Sequence, residues 1–241
     1  MVKSYQSDDA PDYKGTQNLE VMSMAVNYNR MLQSTIHKFA PISNTAKIYD
    51  FGAGTGQFTA IWENHSVDAI AIEIDPTLRS LLKKSGHKTV TLDDVKYNSA
   101  DYIYTINVLE HIETDGIVMA ELFNRLKHGG RLFIYVPAFP ILWMPMDDFV
   151  GHVRRYRKGE LIRKLKANGF DIDLAEYVDS AGFFATFLMR PFASKDGVLN
   201  TELVKIFDRF FFPIGRIMDR LFFSGWLGKN IAVVARKPFK K

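Results

Sequence analysis

The residues best suited to chemistry lie between Tyr49 and Gly56, where the chain reads Tyr-Asp-Phe-Gly-Ala-Gly-Thr-Gly. Gly52, Gly54 and Gly56 stand at alternate positions, and glycine lets a backbone turn with positive φ and approach a ligand closely. Glu73 follows at the end of the next apolar run, where a carboxylate can accept hydrogen bonds from a ribose diol. The combination indicates a nucleotide-cofactor site. A phosphate-binding P-loop is excluded because no Gly-Lys-Ser/Thr follows the turn.

A second group with chemical potential is the basic run from His152 to Lys158. The planar fork of arginine binds phosphate or carboxylate through two parallel hydrogen bonds. Cations at the start of a helix are disfavoured by the helix dipole, so we favour binding of an anionic acceptor over a solvated helix start. Asp147 and Asp148 precede the run, and the sequence leaves open whether they pair with it or supply a base. The expected acceptor-binding residues are His152, Arg154, Arg155 and Tyr156.

These residues must be positioned by strands and helices that the apolar pattern predicts in alternation. A helix over about residues 18–39 ends at Pro41. Strands alternating with helices form parallel βαβ units, and a final strand closes the chain. The predicted strands are 47–51, 68–73, 88–92, 102–106, 131–136, 170–177 and 230–235. The predicted helices are 56–64, 76–85, 115–127 and 158–168, the third of them ended by Gly129 and Gly130.

Residues 180–229 break the alternation and hold ten of the nineteen phenylalanines. From Thr201 to Phe223 apolar residues recur every three or four positions, which predicts an amphipathic helix. Pro213 and Gly215 predict two helices or one kinked helix. The segment suits a cap with an aromatic core, a cover over an apolar tunnel, or membrane-surface contact through residues 183–223. Cations that could meet anionic headgroups are Arg190, Lys195, Arg209, Arg216, Arg220 and Lys229.

Composition limits the class of protein. The chain has 241 residues, a net charge of +4 and no cysteine, which excludes a disulfide framework and cysteine-ligated metals. The first 14 residues lack the apolar core of a signal peptide, and the longest uncharged stretch, residues 132–146, is too short for a membrane span. We therefore expect a cytoplasmic protein that could work at the inner face of a membrane, without nucleic acid as a partner.

Four segments together resemble the class I S-adenosylmethionine-dependent methyltransferases. They are Asp-Phe-Gly-Ala-Gly-Thr-Gly at 50–56, Ala-Ile-Glu-Ile-Asp-Pro at 71–76, Thr-Ile-Asn-Val-Leu-Glu-His-Ile at 105–112 and Leu-Lys-His-Gly-Gly-Arg-Leu at 126–132. Each segment is degenerate alone, but their order and spacing are specific. Residues 27–30, 136–138 and 152–156 are similar to bacterial methyltransferases often found with glycosyltransferases and surface-glycan genes.

The resemblance implies an α/β fold: a Rossmann-like, doubly wound, seven-stranded sheet of order 3-2-1-4-5-7-6, with strand 7 antiparallel. An N-terminal helix would precede the sheet, and a helical insertion would precede its last strand. We expect a tail and helix over residues 1–44, a methyltransferase core over 45–179 and 230–241, and an aromatic-rich helical insertion over 180–229.

The resemblance also implies roles in binding S-adenosyl-L-methionine. The glycines would line its methionine end, with Asp50 orienting the turn. Glu73, where the family more often has Asp, would hold the ribose hydroxyls. Asp93 or Asp94 would accept a hydrogen bond from the adenine amino group, and we favour Asp93. The full expected set is Asp50, Gly52, Ala53, Gly54, Gly56, Glu73, Ile74, Asp93, Asp94, Asn107 and Val108.

Methyl transfer to a hydroxyl needs a group that takes a proton, and His111 and His152 are the catalytic candidates. His111 follows the fourth predicted strand, where capping or orienting the next helix is an equal alternative. Glu110 is expected to be structural. The sequence predicts no metal site, since the close group Glu110, His111 and Glu113 is more simply the family's loop.

The leading hypothesis is therefore methyl transfer from S-adenosylmethionine to a small molecule, with a saccharide, lipid-linked glycan or anionic lipid as acceptor. The alternatives are a nicotinamide-dependent oxidoreductase on the same sheet and a catalytically silent cofactor-binding module. The spacing of the three glycines argues against the oxidoreductase. The absence of an Asn-Pro-Pro-Tyr motif argues against nucleic-acid methylation. The acceptor, the methylated atom and the oligomeric state stay open.

Overall fold

The computed structural model describes residues 15–41, 43–63, 65, 67–192, 196–223 and 225–240. In that part of the chain one seven-stranded sheet runs in the order β3-β2-β1-β4-β5-β7-β6. Strand β7 is antiparallel to both neighbours, and the other pairings are parallel. The predicted fold class and strand order are confirmed. The strands are β1 (Ile48–Phe51), β2 (Ala69–Ile72), β3 (Thr89–Val90), β4 (Ala100–Ile106), β5 (Leu126–Pro137), β6 (Asp171–Val178) and β7 (Asn230–Arg236).

Helices cover both faces of this sheet, as a mostly parallel sheet requires. Successive residues of a strand point to opposite faces, so Ile103 packs with α4 and α6, whereas Tyr102 and Tyr104 pack with α2. The helices are α1 (Thr16–Ser23), α2 (Val26–Phe39), α3 (Pro76–Lys84), α4 (Asp115–Arg125), α5 (Pro145–Phe149), α6 (Lys158–Ala167), α7 (Ser180–Met189), α8 (Thr201–Ile206) and α9 (Phe212–Met218).

The single helix predicted over residues 18–39 is wrong, because the chain breaks at Met24 and Ala25 into α1 and α2. The side-chain amide of Asn29 donates to the carbonyls of Met22 and Ser23, which end α1. At the start of α2, the backbone N–H groups of residues 27 and 28 donate to the carboxylate of Asp208, each at 2.8 Å. Unpaired N–H groups at a helix start need such an acceptor, and here it comes from the distant insertion.

The helix predicted over residues 56–64 is also wrong, since the described part of this segment forms turns and a short 3₁₀ helix, Ala60–Trp62. The hydroxyl of Tyr104 donates to the carbonyl of Phe58 at 2.9 Å. In an α-helix that carbonyl would accept from the N–H of Trp62, which instead donates to Thr59. Side-chain competition for one carbonyl therefore replaces the regular helical pattern.

Helix α4 ends at Arg125 rather than at Gly129 and Gly130, which lie inside β5. The ammonium group of Lys237 donates hydrogen bonds to the carbonyls of Phe123 and Leu126, at 2.9 and 3.0 Å. A lysine can satisfy the last carbonyls of a helix in this way. A residue from beyond the last strand therefore fixes where α4 stops.

The insertion contains α7 and a helical run from Thr201 to Phe223, which includes two π-helical stretches, Phe207–Phe211 and Asp219–Phe223. Pro213 has no N–H to donate, and its ring crowds the carbonyl four residues earlier. The π stretch before it accommodates that mismatch, so the predicted interruption appears within one continuous run. The division of the chain into three parts stays a prediction.

The apolar side of this helical run faces outward. We call Leu203, Ile206, Phe210, Ile214, Ile217 and Leu221 the apolar stripe, and their exposed fractions lie between 47% and 67%. The opposite side buries Asp208, Phe212 and Gly215. The expectation that the apolar residues of this segment form the core of a cap is therefore wrong for the six residues of the apolar stripe. Lys195, one of the predicted headgroup-binding cations, lies outside the described residues.

Candidate active site

The glycine turn lies between β1 and the 3₁₀ turn, at the carboxyl end of the parallel strands where such sheets bind ligands. Gly52, Gly54 and Gly56 have φ of 75°, 58° and 87°, a region that favours glycine. A Cβ on Gly52 would collide with the side chain of Val108, and one on Gly56 would meet Leu82 at 2.8 Å. A Cβ on Gly54 would meet only Leu19, at 3.7 Å. Of the three, Gly54 is therefore the position with room for a ligand.

Glu73 joins the end of β2 to this turn. Its Oε2 accepts from the N–H of Gly54 at 2.8 Å, and its Oε1 accepts from Ile74 and Asp75 at 2.8 and 3.0 Å. Burial raises the pKa of the carboxyl, against these hydrogen bonds. A carboxylate has about four lone-pair sites, so three backbone donors leave room for a further donor. The side chain is thus both a brace for the turn and an acceptor beside Gly54.

Asp50 is buried in β1, directly before the turn. Its Oδ2 accepts from the hydroxyl of Thr59 at 2.7 Å, which ties both ends of the turn segment together. Burial raises the pKa of Asp50 to about 7, and the nearby charge of Glu73 adds to the shift. Ala53 is buried beside this segment and packs against Ala71 and Leu82.

The two predicted adenine acids lie in a 3₁₀ turn after β3, Leu92–Asp94. Asp94 accepts from the backbone and hydroxyl of Thr91 at 2.7 and 2.8 Å, which lowers its pKa. The exposed side chain of Asp93 lies 3.6 Å from the guanidinium of Arg125. Both acids are exposed; Asp94 caps its own turn, whereas the carboxylate of Asp93 lies outside that hydrogen-bonded cap. Ile74 exposes its side chain beside this region.

Asn107 and Val108 directly follow β4, the strand that pairs with β1. Asn107 has φ of 53°, and its N–H donates to the carbonyl of Tyr135 at 2.8 Å. The hydroxyl of Tyr28 faces the side chains of Asn107 and Tyr135, and burial raises the pKa of Tyr28 strongly. Tyr28 of α2 thus reaches the carboxyl end of β4. The sequence did not identify it as a site residue.

The two candidate catalytic histidines meet. The rings of His111 and His152 lie 4.7 Å apart at 75°. His152 Nδ1 lies 2.6 Å from Asp147 Oδ1, and its Nε2 lies 3.7 Å from Glu110 Oε1. His111 also bonds the backbone at Gly151 and Val150, which holds the loop carrying His152. We call Glu110, His111, Asp147 and His152 the polar cluster.

Electrostatics differ across the polar cluster. Burial raises the pKa of Glu110 to about 8. Burial, followed by the charge of His152, lowers the pKa of His111 to about 4. Burial opposes ionisation of Asp147, but His152 and Arg155 outweigh it and hold its pKa below the ordinary value. The cluster therefore favours a neutral His111 and an ionised Asp147.

The side chains of the basic run mainly form hydrogen bonds and ion pairs with other residues of the chain. Arg155 is buried and donates two hydrogen bonds of 2.9 Å to Asp147. The hydroxyl of buried Tyr156 donates to Leu109 and Asp115 at 3.0 and 2.8 Å. Arg154 donates to the carbonyl of Glu113 and pairs with Asp115. The sequence predicts that Arg155 and Tyr156 bind the acceptor directly, but both side chains are buried against other residues. Their hydrogen bonds instead hold the loop that carries His152.

Buried Asp179 and half-buried Lys229 lie together, which sequence reasoning missed: the backbone N–H of Lys229 donates to the carbonyl of Asp179 at 2.9 Å. Asp179, at φ of 68°, accepts from the N–H of Gly182 at 2.7 Å and so caps α7. Burial raises its pKa to about 6, while burial lowers the pKa of Lys229. An aspartate two residues before a small residue at a helix start could have indicated the cap. No local pattern could have indicated its lysine partner fifty residues later.

Comparison with known protein families finds a match to this chain. A family model described as a methyltransferase domain matches residues 24–175. No curated protein sequence matches the chain.

Solved structures share the fold at low sequence identity. A putative methyltransferase of Haloferax volcanii, solved in complex with the Trm112 methyltransferase activator, has a TM-score of 0.62 at 12% identity, covering 94% of this chain and 98% of that one. A SAM-dependent methyltransferase of Archaeoglobus fulgidus has a TM-score of 0.57 at 14% identity, covering 87% and 94%. The [4+2]-cyclase SpnF has a TM-score of 0.60 at 17% identity, covering 88% and 82%. A cyclase on this sheet shows that the fold alone does not set the reaction.

Proposed function

The chain belongs to the methyltransferase domain family, and from this premise we propose that its methyl acceptor is an amphipathic small molecule with an anionic head, such as a lipid-linked saccharide or an anionic lipid. The chain is an S-adenosylmethionine-dependent methyltransferase. The observation that carries the acceptor proposal is the outward-facing apolar stripe beside the sheet edge that holds the cofactor residues and the polar cluster.

The residues at the glycine turn fit the cofactor. The space above Gly54 is bounded by Leu19 and not by the backbone, so a flat or extended ligand group can approach the turn. Glu73 stands beside that space with acceptor capacity left. Asp93 is exposed in the turn after β3, the strand that neighbours β2, at whose end Glu73 lies. When bound, the cofactor supplies an activated methyl group and its leaving group.

The chain itself must position the acceptor and receive its proton. We place proton removal at the polar cluster, with His111 and His152 as the catalytic candidates. Glu110 and His111 of the polar cluster follow Asn107 and Val108 after β4, and the side chain of Val108 lies against Gly52 of the glycine turn. Arg155 and Tyr156 keep their place in the proposal as positioning residues, whereas Arg154, which is partly exposed, can also face an anionic acceptor.

The apolar stripe supports an acceptor that is met at a lipid surface. A contiguous exposed apolar face on a soluble domain marks an interaction site. Arg209, Arg216 and Arg220 recur at helical spacing along one flank of the stripe, where they could meet anionic headgroups. Aromatic contacts hold α7 to the sheet edge beneath it, since Phe183 meets Phe139, which stacks on Tyr177 at 4.5 Å. Among the described residues, no helix is both long enough and apolar enough to span a membrane.

Liposome co-sedimentation tests this proposal. We expect the protein to bind vesicles rich in anionic lipid and to bind neutral vesicles less. The double substitution Ile214→Gln and Ile217→Gln should weaken binding at least tenfold, because burying each isoleucine contributes about 1.5–3 kcal/mol. Ile117→Gln, at an equally exposed isoleucine on α4, should leave binding unchanged. Equal binding by all three proteins, or methyl transfer to a water-soluble sugar nucleotide without vesicles, would contradict the proposal.

A further inference from the structure

Three side chains of the polar cluster converge on one point. Glu110, His111 and His152 each place a possible ligand atom within 4.8 Å of the other two. Glu110 and His111 lie on the 3₁₀ turn after β4, Leu109–His111, and His152 lies on the loop after α5. The N–H of Val153 donates to the carbonyl of Glu110 at 2.9 Å, which fixes the two loops against each other. A backbone hydrogen bond therefore holds together the two loops that carry these three side chains.

The carboxyl group of Glu110 has no hydrogen-bond partner among the other described residues. Its side chain is fully buried, and neither carboxylate oxygen accepts a hydrogen bond from another described residue. A buried carboxylate is costly unless it is paired, hydrogen-bonded or bound to a metal. The nearest group is His152 Nε2, 3.7 Å away. The site thus presents an unsatisfied oxygen donor toward two imidazoles.

His152 is held in the orientation that a metal ligand needs. Its Nδ1 faces Asp147 at 2.6 Å, which directs Nε2 toward Glu110. Asp147 is held in turn by two bonds from Arg155 and one of 2.7 Å from the N–H of Met144. A carboxylate behind a histidine is the arrangement that fixes the ring and raises its basicity in metal sites.

We propose that Glu110, His111 and His152 bind one divalent transition-metal ion. Two imidazole nitrogens and one carboxylate oxygen suit Mn²⁺, Fe²⁺, Co²⁺ or Zn²⁺ better than Mg²⁺ or Ca²⁺, which prefer oxygen ligands. Ligand atoms around a tetrahedral ion with bonds of about 2.0–2.1 Å lie about 3.3 Å apart, so the 3.7 Å gap between His152 and Glu110 needs to close only slightly.

The ion would keep coordination positions open, since the three residues supply one ligand atom each. An acceptor hydroxyl bound there would have a lower pKa, because a bound cation stabilises the deprotonated form of its ligand. With the ion bound, His111 and His152 would act as its ligands rather than as proton acceptors, and the proton would pass to solvent water. This use of the ion rests on the proposed methyl transfer. Binding of the ion does not, and it is measured with neither cofactor nor acceptor present.

Titration calorimetry of chelator-treated protein with Mn²⁺, Co²⁺ and Zn²⁺ tests the proposal. We expect one ion per chain, bound at least tenfold more weakly by Glu110→Gln, His111→Gln and His152→Gln. His65→Gln is the matched control: the rings of His37 and His65 also lie 4.7 Å apart, but in the described part of the chain they belong to no group of three ligands. Its affinity should equal that of the parent.

X-ray absorption of the zinc-loaded parent protein makes the test independent of how the variants fold. Scattering from two imidazole rings is the expected signature. The proposal is overturned if no ion binds at one per chain, if the three variants bind like the parent, or if zinc shows only oxygen ligands. In any of these cases the cluster would serve as a proton relay without metal, and S-adenosylhomocysteine binding, measured separately, would still report on the methyltransferase function.

Discussion

The glycine turn and the polar cluster lie on the same edge of the sheet but are built in opposite ways. At the turn, hydrogen bonds join backbone groups to carboxylates only 1 to 19 residues apart, as between Glu73 and Gly54. In the polar cluster, side chains from separate loops meet, as with Glu110 and His152. The cofactor side is thus a local backbone structure, whereas the acceptor side depends on tertiary packing. A short motif can therefore reveal the first and not the second.

Breaking the support of the polar cluster should have the largest effect. Arg155→Ala leaves Asp147 as a buried charge without its guanidinium, and removing one partner of a buried pair costs about 3–5 kcal/mol. We expect that loss in the free energy of unfolding measured by chemical denaturation. Arg157→Ala, at an exposed neighbour, should change stability little. If Arg155→Ala kept its stability but lost activity, the result would instead support the sequence-based hypothesis that Arg155 contacts the acceptor directly.

On the cofactor side, a pH-dependent stability difference should follow from Asp50. Its pKa of about 7 when folded lies above the ordinary value of 3.8, so folding favours the protonated form. Stability from this group is complete below about pH 4 and is lost as the pH rises to 7, by at most about 4 kcal/mol. Asp50→Asn should therefore gain stability over the parent as pH increases. Denaturation curves from pH 4 to 8 measure this, with Asp93→Asn as the exposed control. Parallel curves for parent and Asp50→Asn would refute the assignment.

Glu73→Ala should weaken S-adenosylhomocysteine binding by about 1–3 kcal/mol, because it removes an acceptor for ribose hydroxyls and a brace of the turn. Titration calorimetry measures the change, and NADH should not bind either protein. Glu63→Ala, at a solvent-exposed glutamate, is the control and should bind like the parent. Full affinity in a folded Glu73→Ala protein would remove Glu73 from the cofactor site.

Asp208→Ala should have the smallest effect, about 1 kcal/mol of stability, because it removes the acceptor for the first N–H groups of α2. The insertion would then hold α2, and Tyr28 upon it, less firmly. Thermal unfolding measures the loss, with the exposed cap Asn200→Ala as a control for a helix start outside the site. A loss near that of Asn200→Ala is expected, and no loss of stability in Asp208→Ala would mean that the contact between the insertion and α2 does not stabilise the fold.

The alternation of strands and helices was predictable from regular apolar patterns, and the strand order was predictable from the resemblance of four segments to the class I S-adenosylmethionine-dependent methyltransferases. Glu73, Gly54 and Asn107 were predictable as candidates because motif spacing places them at strand ends. The break at Met24 was not, since its stabilising partner Asp208 lies 181 residues from Asn27. Local periodicity also identified the apolar stripe but not the direction it faces, because the polar contacts of Asp208 turn the opposite side inward. Burial of Arg155 likewise depends on Asp147, which sequence reasoning left open as a pair or a base.

The central claim is methyl transfer from S-adenosylmethionine to an amphipathic acceptor, and a transfer assay with methyl-labelled cofactor tests it most directly. The protein is incubated with fractionated lipid and sugar-nucleotide extracts, with and without anionic vesicles. We predict that label enters the lipid-extractable fraction and that anionic vesicles increase the rate. Label confined to water-soluble sugar nucleotides, or no transfer to any fraction by protein that binds S-adenosylhomocysteine, would contradict the account.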